Sequence, residues 1–363
     1  MIDEKIDVAK ELDAIEQRIM SGLKDFQRYT VRRIDHLFRS GQMRILVSDE
    51  VGLGKTLIAR GTIAKLAQMR KAGGDNLVKV VYICSNGAIA GQNLEKLMIS
   101  NDVKKEKTAA SRLSMQHLNI FLQENDRDLL RRYIQLIPLT PDTSFRMTAG
   151  TGTVGERALM FSILRRVPGL EQWLPQLEIA LQDQAFKAWE NEKNHYEDKV
   201  ITCDIQSNGE YLRYMLRRVE QELHLPQKNG SCYFHGLLEL CARIKENGNR
   251  RQSSNSILGK LRVMFARISL DKLEPDLVIL DEFQRFRYLI QADPDTETGM
   301  LAAKFFRTDA VRMLLLSATP YKMYSTLEEL DETLVDEHYR ECMDVMSFLN
   351  ISEEENRANA IWK

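Results

Sequence analysis

The sequence predicts an α/β protein: a parallel sheet interrupted by a mainly helical insertion. Three observations predict it. Short apolar runs, "RILVSDE" (44–50) and "LVKVVYICS" (77–85), alternate with helical segments in the strand–helix–strand rhythm of a parallel sheet. From about residue 155 to 265 that rhythm gives way to long, charged, helical-looking segments. It then returns with "PDLVILDEF" (275–283) and "VRMLLLSATP" (311–320).

The elements follow in order. Residues 3–20 place Ile6, Leu12, Ile15 and Ile19 at helical spacing among charges, an amphipathic helix. "SGLKDFQRYTVRRIDHLFRS" (21–40) carries a second helical face of Phe26, Val31, Ile34, Leu37 and Phe38. "RILVSDE" is a short strand that enters a Gly-rich turn. "KTLIARGTIAKLAQMRKAGG" (55–74) is a helix stopped by a glycine pair. "LVKVVYICS" reads as a strand buried on both faces, and "GAIAGQNLEKLMI" (87–99) as the helix after it. "RRYIQLIPLTPDTSF" (131–145) is a strand ending in a polar loop.

The insertion comprises "ERALMFSILRRV", "LPQLEIALQDQAFKAWENEKN", "GEYLRYMLRRVEQEL" and "GLLELCARIKENGN", with a polar loop at "KENGNRRQSSNS". Trp173 and Trp189 read as core or subdomain contacts. The expected organisation is therefore an N-terminal helix (1–21), the first part of the sheet lobe (22–154), the insertion (155–265), the second part of the lobe (266–335) and an acidic helical tail (336–363).

Composition sets bounds. The chain has 363 residues, 44% hydrophobic and 28% charged, ordinary values for a globular protein with a sizeable core. A formal net charge of −1 excludes a global basic footprint, so a nucleic-acid partner would have to be met by local patches. Five dispersed cysteines are not a disulfide framework and fit a reducing compartment. The charged N-terminus lacks the apolar core of a signal peptide, and no run of 18 or more apolar residues occurs. The expectation is a cytoplasmic chain with no membrane partner. "CYFHGLLELC" brings Cys232, His235 and Cys241 close, but zinc prefers tight Cys-x-x-Cys pairs, and a helix with buried cysteines is the better reading.

Three strand ends carry the chemistry. "VSDEVGLGKTLIA" (47–59) ends a strand and opens a helix with Gly-Lys-Thr, though Asp49 stands where the general phosphate-loop pattern has its first glycine. Phosphates need several backbone N–H groups converging at a helix N-terminus. Gly52 and Gly54 let the backbone bend, Lys55 can reach the β and γ phosphates, and Thr56 can place a hydroxyl on Mg²⁺. A Gly-rich turn with a chance Lys-Thr is the competing reading. "PDLVILDEF" ends a buried strand in Asp281 and Glu282, a costly placement unless the carboxylates have work. In nucleotide hydrolases the first such acid holds Mg²⁺ and the second activates water. "LLLSATP" ends a third strand in Ser317, Ala318 and Thr319, hydroxyl residues able to bond the acids or a neighbouring element.

Together these motifs resemble the superfamily 2 helicases and translocases: motif I at Asp49–Thr56, motif II at Asp281-Glu282-Phe283-Gln284 and motif III at Ser317-Ala318-Thr319. "DEVGLGKT" resembles the Swi/Snf-type branch, and "LKDFQRYTVRRI" its adenine-recognising Q motif. "DEFQRF", "LTPDTSF" and "LLLSATPYKMYS" resemble a set of large bacterial helicase-like proteins of that type. The resemblance covers most of 22–340.

It implies a RecA-like phosphate-loop lobe that binds ATP and Mg²⁺. Phe26, Gln27, Asp49, Glu50, Gly52, Leu53, Gly54, Lys55 and Thr56 would bind ATP, with Gln27 on the adenine. Lys55 and Glu282 would be catalytic, Thr56 and Asp281 would hold Mg²⁺, and Ser317, Ala318, Thr319 and Gln284 would couple nucleotide state to DNA. "CSNGAIAGQNL" (84–94) fits motif Ia and "LTPDTSF" (139–145) motif Ib. Ser85, Asn86, Gln92, Asn93, Thr140, Thr143 and Ser144 would then meet the backbone of duplex DNA; as bland turn formers they would not.

A motor of this kind has a second lobe that supplies arginines to the γ-phosphate, and no such motifs follow residue 325. The sequence reading is thus one ATP-binding lobe, a fragment or truncated product, possessing weak activity unless a second lobe or partner protein completes it. The alternative is a regulatory ATP-binding module, without efficient hydrolysis, that acts through partner contacts.

Overall fold

The structure is a computed structural model. It describes residues 8–50, 52–75, 77–85, 87–100, 112–125, 133–144, 150–226, 230–249, 255–286, 289, 296–306, 311–317 and 346–349. Asn86, Ala318, Thr319 and most of the acidic tail lie outside them, as does residues 1–7 of the first predicted helix.

The apolar runs become one five-stranded, all-parallel sheet. Its strands are β1 (Arg44–Ser48), β2 (Val78–Ile83), β3 (Ile134–Leu139), β4 (Leu277–Asp281) and β5 (Arg312–Ser317), in the spatial order β1-β5-β4-β2-β3. The coarse expectation, an α/β fold on a parallel sheet, holds. Strands buried on both faces need apolar residues at every position, and β2 is buried along its full length. Its alternate residues feed two cores. Val80 and Tyr82 pack on one face with α1 (Val8–Gly22), α2 (Asp25–Arg39) and α3 (Lys55–Ala72). Val81 and Ile83 pack on the other, with residues of α11 (Asn255–Leu273) and α12 (Glu297–Phe306). Between them in the chain come α4 (Gly87–Leu97) and α5 (Gln116–Glu124).

The helical region forms as the composition predicts. It comprises α6 (Val154–Leu164), α7 (Leu174–Gln182), α8 (Trp189–Gln206), α9 (Glu210–His224) and α10 (Tyr233–Glu246), followed by α11. α6 begins at a capping box: Thr153 Oγ1 accepts from Glu156 N at 3.2 Å, and Glu156 Oε2 accepts from Thr153 N at 3.3 Å. Trp189 is fully buried in this region's core and donates to Glu178 at 2.9 Å.

The helical body is not hung on the lobe by a linker. α11 runs past the expected boundary at 265 and buries Leu261, Met264 and Phe265 in the helical core while Val263, Ala266 and Leu270 enter the sheet core. α5, a helix the sequence reading left unassigned, does likewise: Leu118 and Phe121 face the helical core and Ile120 the sheet core. Both helices are apolar on two sides, so periodicity along one face gave no signal for them.

Candidate functional site

All the strands are parallel, so their C-terminal ends share one edge of the sheet, where the sequence placed its chemistry. In spatial order the edge presents the Asp49–Thr56 loop after β1, Ser317 at the end of β5, Asp281 at the end of β4, Ser85 after β2 and Thr140 after β3. β5 alone separates the loop strand from the acid strand. With neighbouring strands about 4.8 Å apart, their ends lie about 10 Å apart, room for a phosphate and a cation. Ligands of open parallel sheets bind at this carboxyl edge.

The loop owes its shape to two glycines. Gly52 and Gly54 have φ of +90° and +82°, in the left-handed region. Gly54 is the N-cap of α3 and accepts from Leu57 N at 2.8 Å. The first N–H groups of a helix have no acceptor within it and carry the positive end of its dipole, so negative charge is favoured at this turn. Lys55 and Thr56 are half-buried there. Lys55 Nζ donates to the carbonyls of Asp49 (2.8 Å) and Glu50 (3.0 Å), which holds the ammonium beneath the loop. Asp49 N donates to Ser317 O at 3.2 Å, tying the loop to the end of β5. Ser317 itself is buried.

Gln27 braces the loop from the side. Its Nε2 donates to Leu53 O at 2.9 Å, and its Oε1 accepts from Lys24 N at 3.0 Å. The contact is tight: a Cβ at Gly54 would lie 2.4 Å from Gln27 Nε2. Around it Phe26, Leu53 and Leu57 are exposed to 42%, 38% and 39%, an uncovered apolar rim beside the loop. An adjoining cleft is lined by Arg18, Ile19, Leu23, Leu57 and Arg60. Arg18 and burial together lower the Arg60 pKa, burial being the larger cause. Of these only Ile19 was singled out in the sequence, because the cleft is shared by α1, Leu23 just after it and α3.

The acid strand brings a second cluster. Asp281 is half-buried. Its Oδ2 accepts from Tyr82 Oη at 2.5 Å and from Asn93 Nδ2 at 3.2 Å, and Asn93 Nδ2 also lies 2.9 Å from Tyr82 Oη. Burial, then the Asp281 charge, raises the Tyr82 pKa well above the ordinary phenol value, so Tyr82 stays a donor. Asn93 was read from the sequence as a phosphate contact; the structure turns its amide inward onto Asp281. Glu282 follows with φ +54°, a left-handed conformation unusual for a side-chain-bearing residue. Its carboxylate pairs with Arg285 Nε at 2.8 Å. Tyr82 and Arg285 are the partners that sequence reasoning missed.

At the far end of the edge the expected surface hydroxyls behave differently. Thr140 and Ser144 are buried, Ser144 N donating to Thr140 O at 3.0 Å in a one-turn helix, Pro141–Ser144. A 3₁₀ turn at Leu113–Met115 packs against that helix. Ser85 is half-buried and Gln92 exposed. Asn86 lies outside the described residues, and so do the side chains of Thr143 and Gln284. Among the described residues, no helix is long and apolar enough to cross a membrane.

Compared with protein-family models, curated proteins and solved structures, the chain matches none.

Proposed function

We propose that this chain is the ATP-binding, RecA-like lobe of an ATP-dependent DNA translocase or helicase of the Swi/Snf type. The observation that carries the reading is the shared edge: a glycine-bent loop with Lys55 and Thr56 at the start of α3, and Asp281 one strand away. On this reading the triphosphate lies on the N-terminus of α3 and draws Lys55 from the Asp49 and Glu50 carbonyls. Thr56 and Asp281 are the residues that would hold Mg²⁺, which supplies charge neutralisation to the phosphates. The base lies against Phe26 and Leu57 near Gln27. Glu282, once released from Arg285, is placed to orient water. Ser85 and Gln92, at the β2 end of the edge, are the remaining candidates for the DNA backbone.

A second reading is favoured by one specific feature. Lys55 Nζ donates to two carbonyls of its own loop, and Glu282 pairs with Arg285 at the surface. A regulatory ATP-binding module that binds nucleotide without efficient hydrolysis fits that feature too. Calorimetric titration with Mg-ATP, with Lys55→Ala as control, tests the shared part: equal binding by both proteins would overturn it. ATP hydrolysis with and without duplex DNA separates the two readings. DNA-stimulated turnover supports the translocase; intact binding without stimulation supports the module.

A further inference from the structure

Tyr82 is the one aromatic residue in β2, whose other members are Val, Lys, Val, Val and Ile. Its ring is 1% exposed in the core beneath α3, yet its hydroxyl reaches the chemical edge. A buried tyrosine needs a partner for its O–H, and here the partner is the carboxylate at the end of the next strand. Asn93, on α4, bonds both members of that pair. Two separate elements therefore converge on one oxygen of Asp281.

We propose that Tyr82 and Asn93 are positioning residues for the cation carried with the nucleotide: by holding Oδ2 of Asp281 they fix the plane of the carboxylate toward the phosphate loop. The proposal rests on the nucleotide reading above. Its physical basis is that both donors are neutral. An arginine or lysine in their place would orient the carboxylate equally well but would cancel its charge. Tyrosine and asparagine orient it and leave the full negative charge for a cation. Such partners of a metal ligand set its direction and basicity, and their loss typically lowers metal affinity 10- to 100-fold. The spacing fits the role, since Asp281 lies across one strand from Thr56 and the loop.

The test uses the full chain and the variants Tyr82→Phe, Asn93→Ala and Asp281→Asn. Mn²⁺ binding in the presence of a non-hydrolysable ATP analogue is read from the electron paramagnetic resonance of free Mn²⁺. Binding of a fluorescent ATP analogue in EDTA is read in parallel. The expected result is an Mn²⁺ affinity lower by about 10-fold in Tyr82→Phe and in Asn93→Ala, with metal-free nucleotide binding unchanged in those two, and a larger loss of Mn²⁺ in Asp281→Asn. A merely structural role would lower both readouts together.

If Asp281→Asn loses Mn²⁺ while Tyr82→Phe and Asn93→Ala bind it like the wild type, the positioning role falls and the nucleotide reading stands. If Asp281→Asn binds Mn²⁺ like the wild type, or the wild type binds none, both fall. Tyr82→Phe keeps the buried ring; should it still misfold, the half-buried Asn93→Ala carries the same decision.

Discussion

Two carboxylates define two regions of this molecule, and they are compensated in opposite ways. In the helical body, Glu156 is fully buried and surrounded by charge. Arg262 Nε donates to it at 3.0 Å, Arg112 lies 3.4 Å away, and Ser114 Oγ adds a further bond. At the sheet edge, Asp281 is half-buried and bound by the neutral donors Tyr82 and Asn93. Among the described residues, no cationic side chain pairs with it. Glu156 has its charge cancelled where it stands, which is the pattern of a residue that holds a fold together. Asp281 is oriented by neutral donors that leave its charge in place, the feature on which the proposed cation role rests.

The largest expected effect lies in the body. Arg262→Met removes the principal counter-charge of Glu156 and leaves a carboxylate in a site with no access to water. Breaking one side of a buried pair costs about 3–5 kcal/mol. Urea denaturation should show that loss, and Glu156→Gln combined with Arg262→Met should recover much of it. Recovery in the double variant would establish that charge compensation, rather than packing, is what Arg262 contributes; a double variant as unstable as Arg262→Met would assign the loss to packing.

The body also hides a proton acceptor. His117 is buried between Tyr211 and Phe265, with Tyr211 Oη 3.1 Å from its Nδ1. Burial pulls its pKa down to about 3, only partly offset by the Ser114 backbone. Unfolded histidine titrates near 6.5. Between those values the unfolded chain binds the proton and the folded chain does not, so stability falls as pH drops from 6.5 toward 3. From pH 7 to pH 5 the loss is about 2 kcal/mol. His117→Phe should lose about that much less over the same range in denaturation experiments, each protein being referred to its own value at pH 7. An identical pH dependence in the two proteins would remove His117 as the cause.

How legible each region was follows from the same difference. The loop could be read because its chemistry is local: Gly52, Gly54, Lys55 and Thr56 lie within five residues. The strands could be read because each is a short apolar run that ends at a polar turn. The partners could not. Tyr82 and Asp281 are 199 residues apart, and Glu156 and Arg262 are 106 apart. A tyrosine in an apolar strand reads as core until the fold shows where its hydroxyl goes. Asn93, Thr140 and Ser144 read as surface polar residues for a related reason: Asn93 meets Tyr82 and Asp281 only through the fold, and Thr140 and Ser144 are buried. The RecA-like assignment and the motif roles remain proposals resting on the resemblance and on the shared edge.

A smaller effect separates strain from charge at the edge. Gly54→Ala places a Cβ at φ +82° and 2.4 Å from Gln27 Nε2, so the Gln27 amide that bonds Leu53 must shift. The left-handed conformation costs a residue with a side chain about 1–2 kcal/mol. The expected result is a loss of that size on denaturation together with loss of Mg-ATP binding. Gln27→Ala in the same background relieves the clash but not the backbone. If stability then returns fully to the wild-type value, the contact rather than the φ angle was the cost.

The smallest expected effect is the most informative about the comparison. Asp281→Asn keeps the shape of the side chain and an oxygen that can accept from Tyr82. It removes a charge that nothing among the described residues neutralises. A residue retained for the fold, like Glu156, should cost kilocalories when altered. Asp281→Asn should instead leave stability within about 0.5 kcal/mol of the wild type, or raise it slightly, as is common where a functional group is held against its own interest. Thermal denaturation without nucleotide or divalent metal measures this directly. A loss of several kcal/mol would place Asp281 with Glu156 as a structural carboxylate and would undercut the cation site. A neutral or stabilising result would leave cation binding as the reason for an aspartate at the end of β4.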